Sequence, residues 1–383
     1  MKRIPYGRQH ITDEDIRAVT DVLKSDYLTQ GPKIAEFEAT FAKYIGCRYA
    51  TAVSNGTAAL HLSALALDVK PGDKVITTPV TFVATANCVR YCGGEVVFSD
   101  IDPETYLLDI DKVRKLLQSS PKGIYKGIIP VDFAGNPVNL EELRKLADEF
   151  DLWMIEDASH APGGYFIDSN GQKQNCGNGR FADLTTFSFH PVKHITTGEG
   201  GMITTNNEKL YHKLRNLRTH GIQQNNKLNE KYDGVWYYEM QELGFNYRMT
   251  DMEAALGISQ LKRADSGLQR RRAIAETYNK AFAGKTFVIR LPGRIEGHAY
   301  HLFVAEFENR NGLIQHLRNN NIMAQVHYIP VHLMPYYRQF GWKVGDMPVA
   351  EKYYRHCLSL PIYPTLTDEE QAFVIKTIEE FYG

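Results

Sequence analysis

Long hydrophobic runs are missing from these 383 residues. No stretch of about eighteen apolar residues occurs, and the start, Met-Lys-Arg-Ile-Pro-Tyr-Gly, has no apolar signal region. Neither a membrane span nor a secretory leader is expected. Cysteine is scarce: Cys47, Cys88, Cys92, Cys176 and Cys357. The count is odd and the spacing fits no disulfide framework, so free thiols in a reducing cytoplasm are expected. Cys88 and Cys92 are i,i+4 on a predicted helix, but no second Cys or His pair stands at zinc-finger spacing, and packed core cysteines are expected. An excess of one charge is lacking too. There are 44 Lys and Arg against 45 Asp and Glu, a net charge of −1. That excludes a global pull toward nucleic acid or anionic lipid. The local run Gln269-Arg-Arg-Arg272 lies in a helical pattern and reads as a solvated or interface face. No internal repeat or low-complexity tract is present. No Gly-x-Gly-x-x-Gly follows the first strand, which argues against a dinucleotide-binding dehydrogenase.

What is present suits a full globular core. Hydrophobic residues are 43% of the chain. Residues 1–10 read as an extended arm whose one large side chain able to meet a ligand is Tyr6. Helical periodicity starts after Thr12, an N-cap followed by acidic residues. Tyr27-Leu-Thr-Gln-Gly31 is a turn, and Pro32 opens a second helix. From there strand and helix alternate. Strands are expected at Tyr49–Ser54, Lys74–Pro79, Glu95–Asp100, Gly127–Phe133, Leu152–Asp157, Leu184–His190 and Met202–Thr205, with amphipathic helices between the earlier ones. This predicts an α/β fold with a mostly parallel, doubly covered sheet of seven strands. The Asn-rich stretch Gln223 to Glu230 reads as a mobile loop. One long helix from Thr250 to about Phe282 leads out of the large domain. Strands near Phe287 and His301–Phe307, then helices near Asn311–Asn319 and Asp368–Tyr382, give a smaller α+β domain. The division is an arm at 1–10, a large domain at 11–250 and a small domain at 251–383.

The chemistry gathers at strand ends. The strand Leu184–His190 breaks at Pro191 and is followed by Lys193 and the turn Thr-Gly-Glu-Gly-Gly201. A partly desolvated lysine at such a crevice can lose its proton near neutral pH and attack a carbonyl. Ser54-Asn-Gly-Thr-Ala-Ala-Leu60 joins the first strand to a helix. Gly56 allows a close turn there, and the N–H groups of Thr57 and Ala58 open the helix as an anion cradle. Leu152-Trp-Met-Ile-Glu-Asp157 ends in a carboxylate that can hold a pyridine nitrogen protonated. Strand alternation turns Glu156 the other way. Phe82, at another strand-to-helix junction, can stack on a ring, and Ser188 can add a phosphate contact. Each feature has an ordinary reading as well: surface lysine, helix cap, turn cap, core phenylalanine. Together they place cradle, ring, carboxylate and lysine at successive strand ends.

These residues resemble the fold-type I pyridoxal phosphate transferases, and more narrowly the DegT/DnrJ/EryC1/StrS nucleotide-sugar aminotransferase family. The resemblance covers nearly the whole chain. It is carried by Ser-Asn-Gly-Thr-Ala-Ala, Glu-Asp-Ala-Ser-His and Ser-Phe-His-Pro-Val-Lys-His-Ile-Thr-Thr-Gly-Glu-Gly-Gly. It implies pyridoxal 5'-phosphate as cofactor, Lys193 as the lysine that holds it covalently and Asp157 as the partner of its ring nitrogen. It also implies phosphate contacts from Thr57, Ala58 and Ser188, stacking by Phe82, and His160 near the ring hydroxyl. In Leu243-Gly-Phe-Asn246, it implies that Asn246 reaches a neighbour's cofactor phosphate across a homodimer interface. Glutamate is the implied amino donor. A non-catalytic regulator or sugar-binding protein on the same fold would lack Lys193 or Asp157, and both are present.

Within the family, the stretches ending in Asn87, Val131-Asp-Phe-Ala-Gly135 and Ala324-Gln-Val-His-Tyr-Ile-Pro330 resemble the C4 aminotransferases of the pseudaminic acid pathway. That implies a UDP-linked 4-keto-6-deoxy-N-acetylhexosamine as acceptor, contacted by Tyr6, Tyr27, Thr29, His327 and Tyr328. The 4-amino-arabinose, perosamine and bacillosamine-precursor enzymes are the alternatives. His327 and His332 as a metal pair would need a carboxylate cluster that the sequence does not show beside them, so no metal is expected.

Overall fold

The computed structural model describes residues 3–223, 230–231 and 233–383. The Asn-rich stretch read as a loop falls largely on 224–229, outside the described residues. A seven-stranded sheet dominates. Its spatial order is Tyr49–Val53, Gly201–Thr205, Leu184–Ser188, Trp153–Asp157, Tyr125–Ile129, Lys74–Thr77, Glu95–Phe98. All neighbours pair in parallel except Gly201–Thr205, which runs antiparallel to the strands on both sides. Parallel pairing gathers the ends of the Tyr49–Val53, Trp153–Asp157 and Leu184–Ser188 strands on one edge. The antiparallel strand brings its first residue there, with Gly201 opposite both Val53 and Ser188.

Side-chain alternation then decides what faces that edge. Phe187 and Phe189 turn to one side of their strand and pack against Phe37 and Phe41 of the Pro32–Ile45 helix. The ring centroids are 5.0 Å apart for Phe41 and Phe187, and 5.2 Å for Phe37 and Phe189. Ser188 between them turns the other way. Shifting this register by one residue would expose both buried phenylalanines, a loss of roughly 3–6 kcal/mol. The strand is therefore pinned with Ser188 on the open side.

The C-terminal part holds a three-stranded antiparallel sheet of Val288–Arg290, Phe303–Phe307 and Cys357–Leu360. It shares an apolar cluster with Ile274, Tyr278 and Phe282 and with Val374 and Ile378 of the Asp368–Tyr382 helix. The arm is tied down: Ile4–Pro5 pairs in parallel with Ile322–Met323, and the Tyr6 carbonyl accepts from the Ile362 N–H at 3.0 Å.

Three expectations need correction. The long helix is two helices, Asp251–Leu261 and Ala264–Phe282. Arg263 leaves helical geometry between them (φ −119°, ψ 15°), where its guanidinium reaches Asp15 at 3.0 Å and the His10 carbonyl at 2.7 Å. One residue of the arginine run is not on a solvated face. Arg271 falls on the stripe of Ala264, Leu268, Ala275, Tyr278 and Phe282 and is buried with them. Its guanidinium donates to the carbonyls of Ile362 (3.0 Å), His301 (3.2 Å) and Tyr300 (3.3 Å). The strand Cys357–Leu360 and the helix Pro348–His356 were not expected. Four fully buried residues show no period to read. All five cysteines are free thiols, and burial raises the pKa of each.

Candidate active site

A cavity of about 760 Å³ opens at the sheet edge described above. The residues lining it come from every part of the chain: Tyr6 from the arm, Gly56, Thr57 and Ala58 from the start of the Gly56–Ala66 helix, Phe82 and Thr85, Asp157 and His160, Ser188 and Lys193, and His301, His327 and Tyr328 from the C-terminal part. Eleven of the fourteen residues expected at a site thus share one cavity.

Lys193 sits in a turn closed by its own N–H on the His190 carbonyl at 2.9 Å. Its side chain meets the cavity and also borders a smaller one of about 210 Å³. Burial pushes its pKa down to about 8, the Asp157 charge pulls it back up, and the Arg271 guanidinium lowers it. A share of unprotonated amine therefore exists near neutral pH, as a nucleophile or proton acceptor needs.

Asp157 ends its strand facing the cavity. Its carboxylate accepts from the Thr85 hydroxyl at 2.7 Å, the Ser159 hydroxyl at 2.6 Å and the Ser159 N–H at 3.2 Å. Thr85 spends its proton on Asp157, so the Thr81 hydroxyl, 2.8 Å away, is the donor to Thr85.

Glu156 faces the opposite way and is buried in the interior. One of its oxygens accepts from Thr185 at 2.7 Å and from the Gly177 N–H at 3.0 Å. Asp132 likewise accepts from the Val138 N–H at 2.9 Å through one oxygen. The other oxygens, Glu156 Oε1 and Asp132 Oδ2, are buried and take no hydrogen bond from another group among the described residues. Ligand atoms of Asp132, Glu156 and Cys176 lie within 4.8 Å of one another. Two carboxylates so placed cannot both ionise, and burial followed by repulsion from Glu156 holds Asp132 well above the carboxylate range. The pair shares one proton. The native state keeps that proton over a pH range in which the unfolded chain has released it, so Asp132 costs stability as pH rises above about 4. Asp132→Asn supplies the donor without the titration. Its melting temperature should equal or exceed the parent's at pH 8, and the difference should close toward pH 5 in melting curves recorded across that range.

The helix Gly56–Ala66 begins at the cavity with Asn55 as its N-cap. This adjusts the expectation for Ala58, whose N–H is taken by the Asn55 side chain at 2.8 Å. Gly56 and Thr57 complete the turn. A Cβ on Gly56 would stand 2.9 Å from the Ser188 Cβ, and one on Gly201 would stand 2.5 Å from the Asn55 carbonyl oxygen. Only glycine lets the strands and the helix start come this close. The cradle left is narrow, rich in N–H and hydroxyl groups, and at the positive end of a helix, which suits a phosphate. A phosphorylated heteroaromatic aldehyde fits the whole donor set. Its anion would meet the helix start and Ser188, its ring nitrogen Asp157, its carbonyl carbon Lys193 and its ring face Phe82, which is 58% exposed rather than packed in the core.

His160 and Tyr328 form the far group. The Ala134 N–H donates to His160 Nδ1 at 3.3 Å, and His160 Nε2 lies 3.3 Å from the Tyr328 hydroxyl. The His327 ring is 5.1 Å from Tyr6 and 4.9 Å from Tyr328, and its Nδ1 is 2.8 Å from the Ser359 hydroxyl. His332 is buried and bonded to Glu351 at 3.1 Å.

Three expected residues are not brought together with the rest. Tyr27 and Thr29 are exposed, on a turn fixed to the start of the Asp251–Leu261 helix. Asp251 accepts the Gly31 and Lys33 N–H groups at 2.7 and 2.8 Å, and Thr29 bridges to Thr250. Asn246 is exposed, while its neighbour Tyr247 turns into the cavity. Thr85, Ser159, Tyr247 and His301 line the cavity without having been expected. Of these, Ser159 carried a signal, the Asp-x-Ser turn pattern.

The family model for the DegT/DnrJ/EryC1/StrS aminotransferases matches residues 9–379. The chain is 38% identical to the spore coat polysaccharide biosynthesis protein SpsC of Bacillus subtilis, over 98% of this chain and 96% of that one. It is 36% identical to the UDP-4-amino-4,6-dideoxy-N-acetyl-beta-L-altrosamine transaminase of Campylobacter jejuni, again over 98% and 96%. The pyridoxal phosphate form of the putative sugar aminotransferase Spr1654 from Streptococcus pneumoniae superposes with a TM-score of 0.89 and 30% identity, over 99% of this chain and 98% of that one.

Proposed function

We propose a substrate and a mechanism from one premise: the chain belongs to the DegT/DnrJ/EryC1/StrS aminotransferase family. It is a sugar aminotransferase of the fold-type I class with pyridoxal 5'-phosphate as cofactor. The reaction proposed is transfer of an amino group from glutamate to C4 of a UDP-linked 4-keto-6-deoxy-N-acetylhexosamine, as in pseudaminic acid biosynthesis. The observation that carries the chemistry is the meeting of Lys193 and Asp157 from neighbouring strand ends at one cavity with the Gly56 helix start.

When bound, the cofactor supplies an electron sink for the carbanion formed beside the migrating amine. The chain's own residues do the rest. Thr57 and Ser188, with the start of the Gly56–Ala66 helix, hold the phosphate. Asp157 keeps its charge on the ring nitrogen. Phe82 covers the ring. In each half-reaction Lys193 Nζ would move a proton between the substrate carbon that bears the amine and the neighbouring cofactor carbon, its lowered pKa suiting both directions. Tyr6, His327 and Tyr328 supply the wall for the sugar. The active unit is proposed to be a cytoplasmic homodimer, with the exposed Asn246, Tyr27 and Thr29 facing the second copy. Among the described residues no helix is long and apolar enough to cross a membrane.

The sugar assignment is supported by the Campylobacter jejuni relative. The likeness to SpsC supports a second reading, another nucleotide-sugar C4 aminotransferase. A substrate panel separates them. The protein, cofactor and glutamate are mixed with two UDP-linked 4-keto N-acetyl sugars epimeric at C5, and the 4-amino product is detected by mass. The L-arabino epimer is expected to react in strong preference. Preference for the D-xylo epimer would move the chain to the bacillosamine-type branch, and reaction with neither would remove the sugar assignment.

A further inference from the structure

The direction of one hydrogen bond can be deduced from the bond next to it. The Ala134 backbone N–H can only donate, so the nitrogen it meets, His160 Nδ1, is the bare acceptor of the ring. His160 is buried, and that burial, with the Lys193 charge second, holds its pKa well below the usual histidine range. A neutral imidazole with a bare Nδ1 carries its proton on Nε2. The atom facing Nε2 is the Tyr328 hydroxyl oxygen. Tyr328 is therefore the acceptor in that bond and keeps its own proton for another partner. No other protein partner of this hydroxyl exists among the described residues.

Three of the other hydroxyls that line the cavity are already committed. Thr85 and Ser159 spend their protons on Asp157, and the Tyr247 hydroxyl is 3.2 Å from His61 Nδ1. Tyr328 also belongs to an aromatic wall linked ring to ring. Its ring stands 4.9 Å from His327, which stands 5.1 Å from Tyr6, and 6.3 Å from Phe82. Aromatic faces of this kind take the apolar face of a sugar ring, and a few placed donors fix its orientation. A keto oxygen accepts hydrogen bonds and cannot donate them, so it needs a free donor of this kind.

We propose that Tyr328 donates a hydrogen bond to the carbonyl oxygen at the amine-accepting carbon of the sugar, and that His160 is the positioning residue that fixes the direction of that bond. The proposal rests on the sugar-aminotransferase reading above. It also explains why a histidine can serve beside the ring without titrating: it works as a neutral, one-way donor.

The test follows the two half-reactions separately on the cofactor-loaded enzyme. Glutamate is added alone and the change in cofactor absorbance is timed; the 4-keto sugar is then added and the return is timed. Tyr328→Phe should leave the glutamate half-reaction within about threefold and lower kcat/KM for the sugar half-reaction by about tenfold, the worth of one hydrogen bond. His160→Gln should stay near the parent. Its amide carbonyl can accept from Ala134 and its amide N–H can donate to Tyr328, which a role in packing or charge would not predict. His160→Ala should match Tyr328→Phe, and adding it to Tyr328→Phe should cost little more, because the two act as one unit. Equal losses in both half-reactions of Tyr328→Phe would mean that the acceptor is an oxygen of the cofactor, and would overturn the proposal. So would no loss in either, or a His160→Gln variant as poor as His160→Ala. Failure of the sugar reading itself is distinguishable, since the unmodified enzyme would then take no 4-keto sugar at all.

Discussion

Lys193→Ala should lower kcat by about 10⁴-fold or more, the scale on which losing a group that acts as both nucleophile and base is felt. No neighbour can replace it. His160, His194 and His301 around it are weak bases, their pKa values held well below the usual histidine range with burial the first cause in each case. Arg271 is a permanent cation engaged with backbone carbonyls. The fold should survive the change, because an amine whose pKa is pulled down by burial is not a stabilising group at neutral pH. The melting temperature should therefore stay level or rise. The same pKa gives a direction with pH. In the cofactor-free protein the reactive amine form of Lys193 increases as pH rises toward about 8 and levels off above it. Its capture of an aldehyde, trapped by reduction and located by mass, should follow that curve. Retention of a large fraction of the rate in the alanine variant would remove Lys193 from the reaction. A capture profile that keeps rising steeply through pH 9 without levelling would show that burial does not shift it.

Much of this was legible in the residues, and the parts that were not have physical reasons. The sheet could be read because its strands are short apolar runs separated by helices, and such runs become buried parallel strands. The sites at the strand ends followed, since parallel pairing puts strand ends on one edge. What alternation decides was readable too: Asp157 faces the cavity and Glu156 does not. What tertiary contact decides was not. Arg271 looked like a surface cation because its type outweighed its position, although it stands four residues before Ala275 and seven before Tyr278 on the apolar stripe. Nothing local announces that three carbonyls from two distant loops will meet it. The break at Arg263 had no Pro or Gly to mark it, because its cause is a pull from Asp15, 248 residues away. An ordinary helix cap was the alternative reading of the cradle, and Asn55 is that cap. The cradle and the cap proved to be the same turn, which removes Ala58 from the set of free donors. Tyr27 and Thr29 entered only through a resemblance that implies sugar contacts, and Asn246 through one that implies a subunit boundary; a single chain leaves all three on its surface.

Asp157→Asn should lower kcat by about 10²–10³-fold, the usual worth of one preorganised charge at a dry reacting centre. The argument turns on how little else changes. In the parent, Oδ1 accepts from the Ser159 hydroxyl and N–H, and Oδ2 accepts from Thr85, which in turn accepts from Thr81. An amide can keep its oxygen toward Ser159 and place its N–H₂ where Oδ2 was. Thr85 then receives that N–H and donates to Thr81, so the hydroxyl chain reverses and no polar group is stranded. The variant should melt within a few degrees of the parent. The lost element is the negative charge that makes protonation of the ring nitrogen favourable. Without it the ring stays neutral and withdraws electrons less. The charge also raises the Lys193 pKa, so its removal should let that pKa fall further. The aldehyde-capture curve of the cofactor-free variant should therefore move to lower pH, although its catalytic rate has fallen. These opposite movements distinguish a lost charge from general damage, which would lower both. If turnover stays within about threefold of the parent, or if the capture curve moves to higher pH, Asp157 does not carry the charge that the ring nitrogen needs.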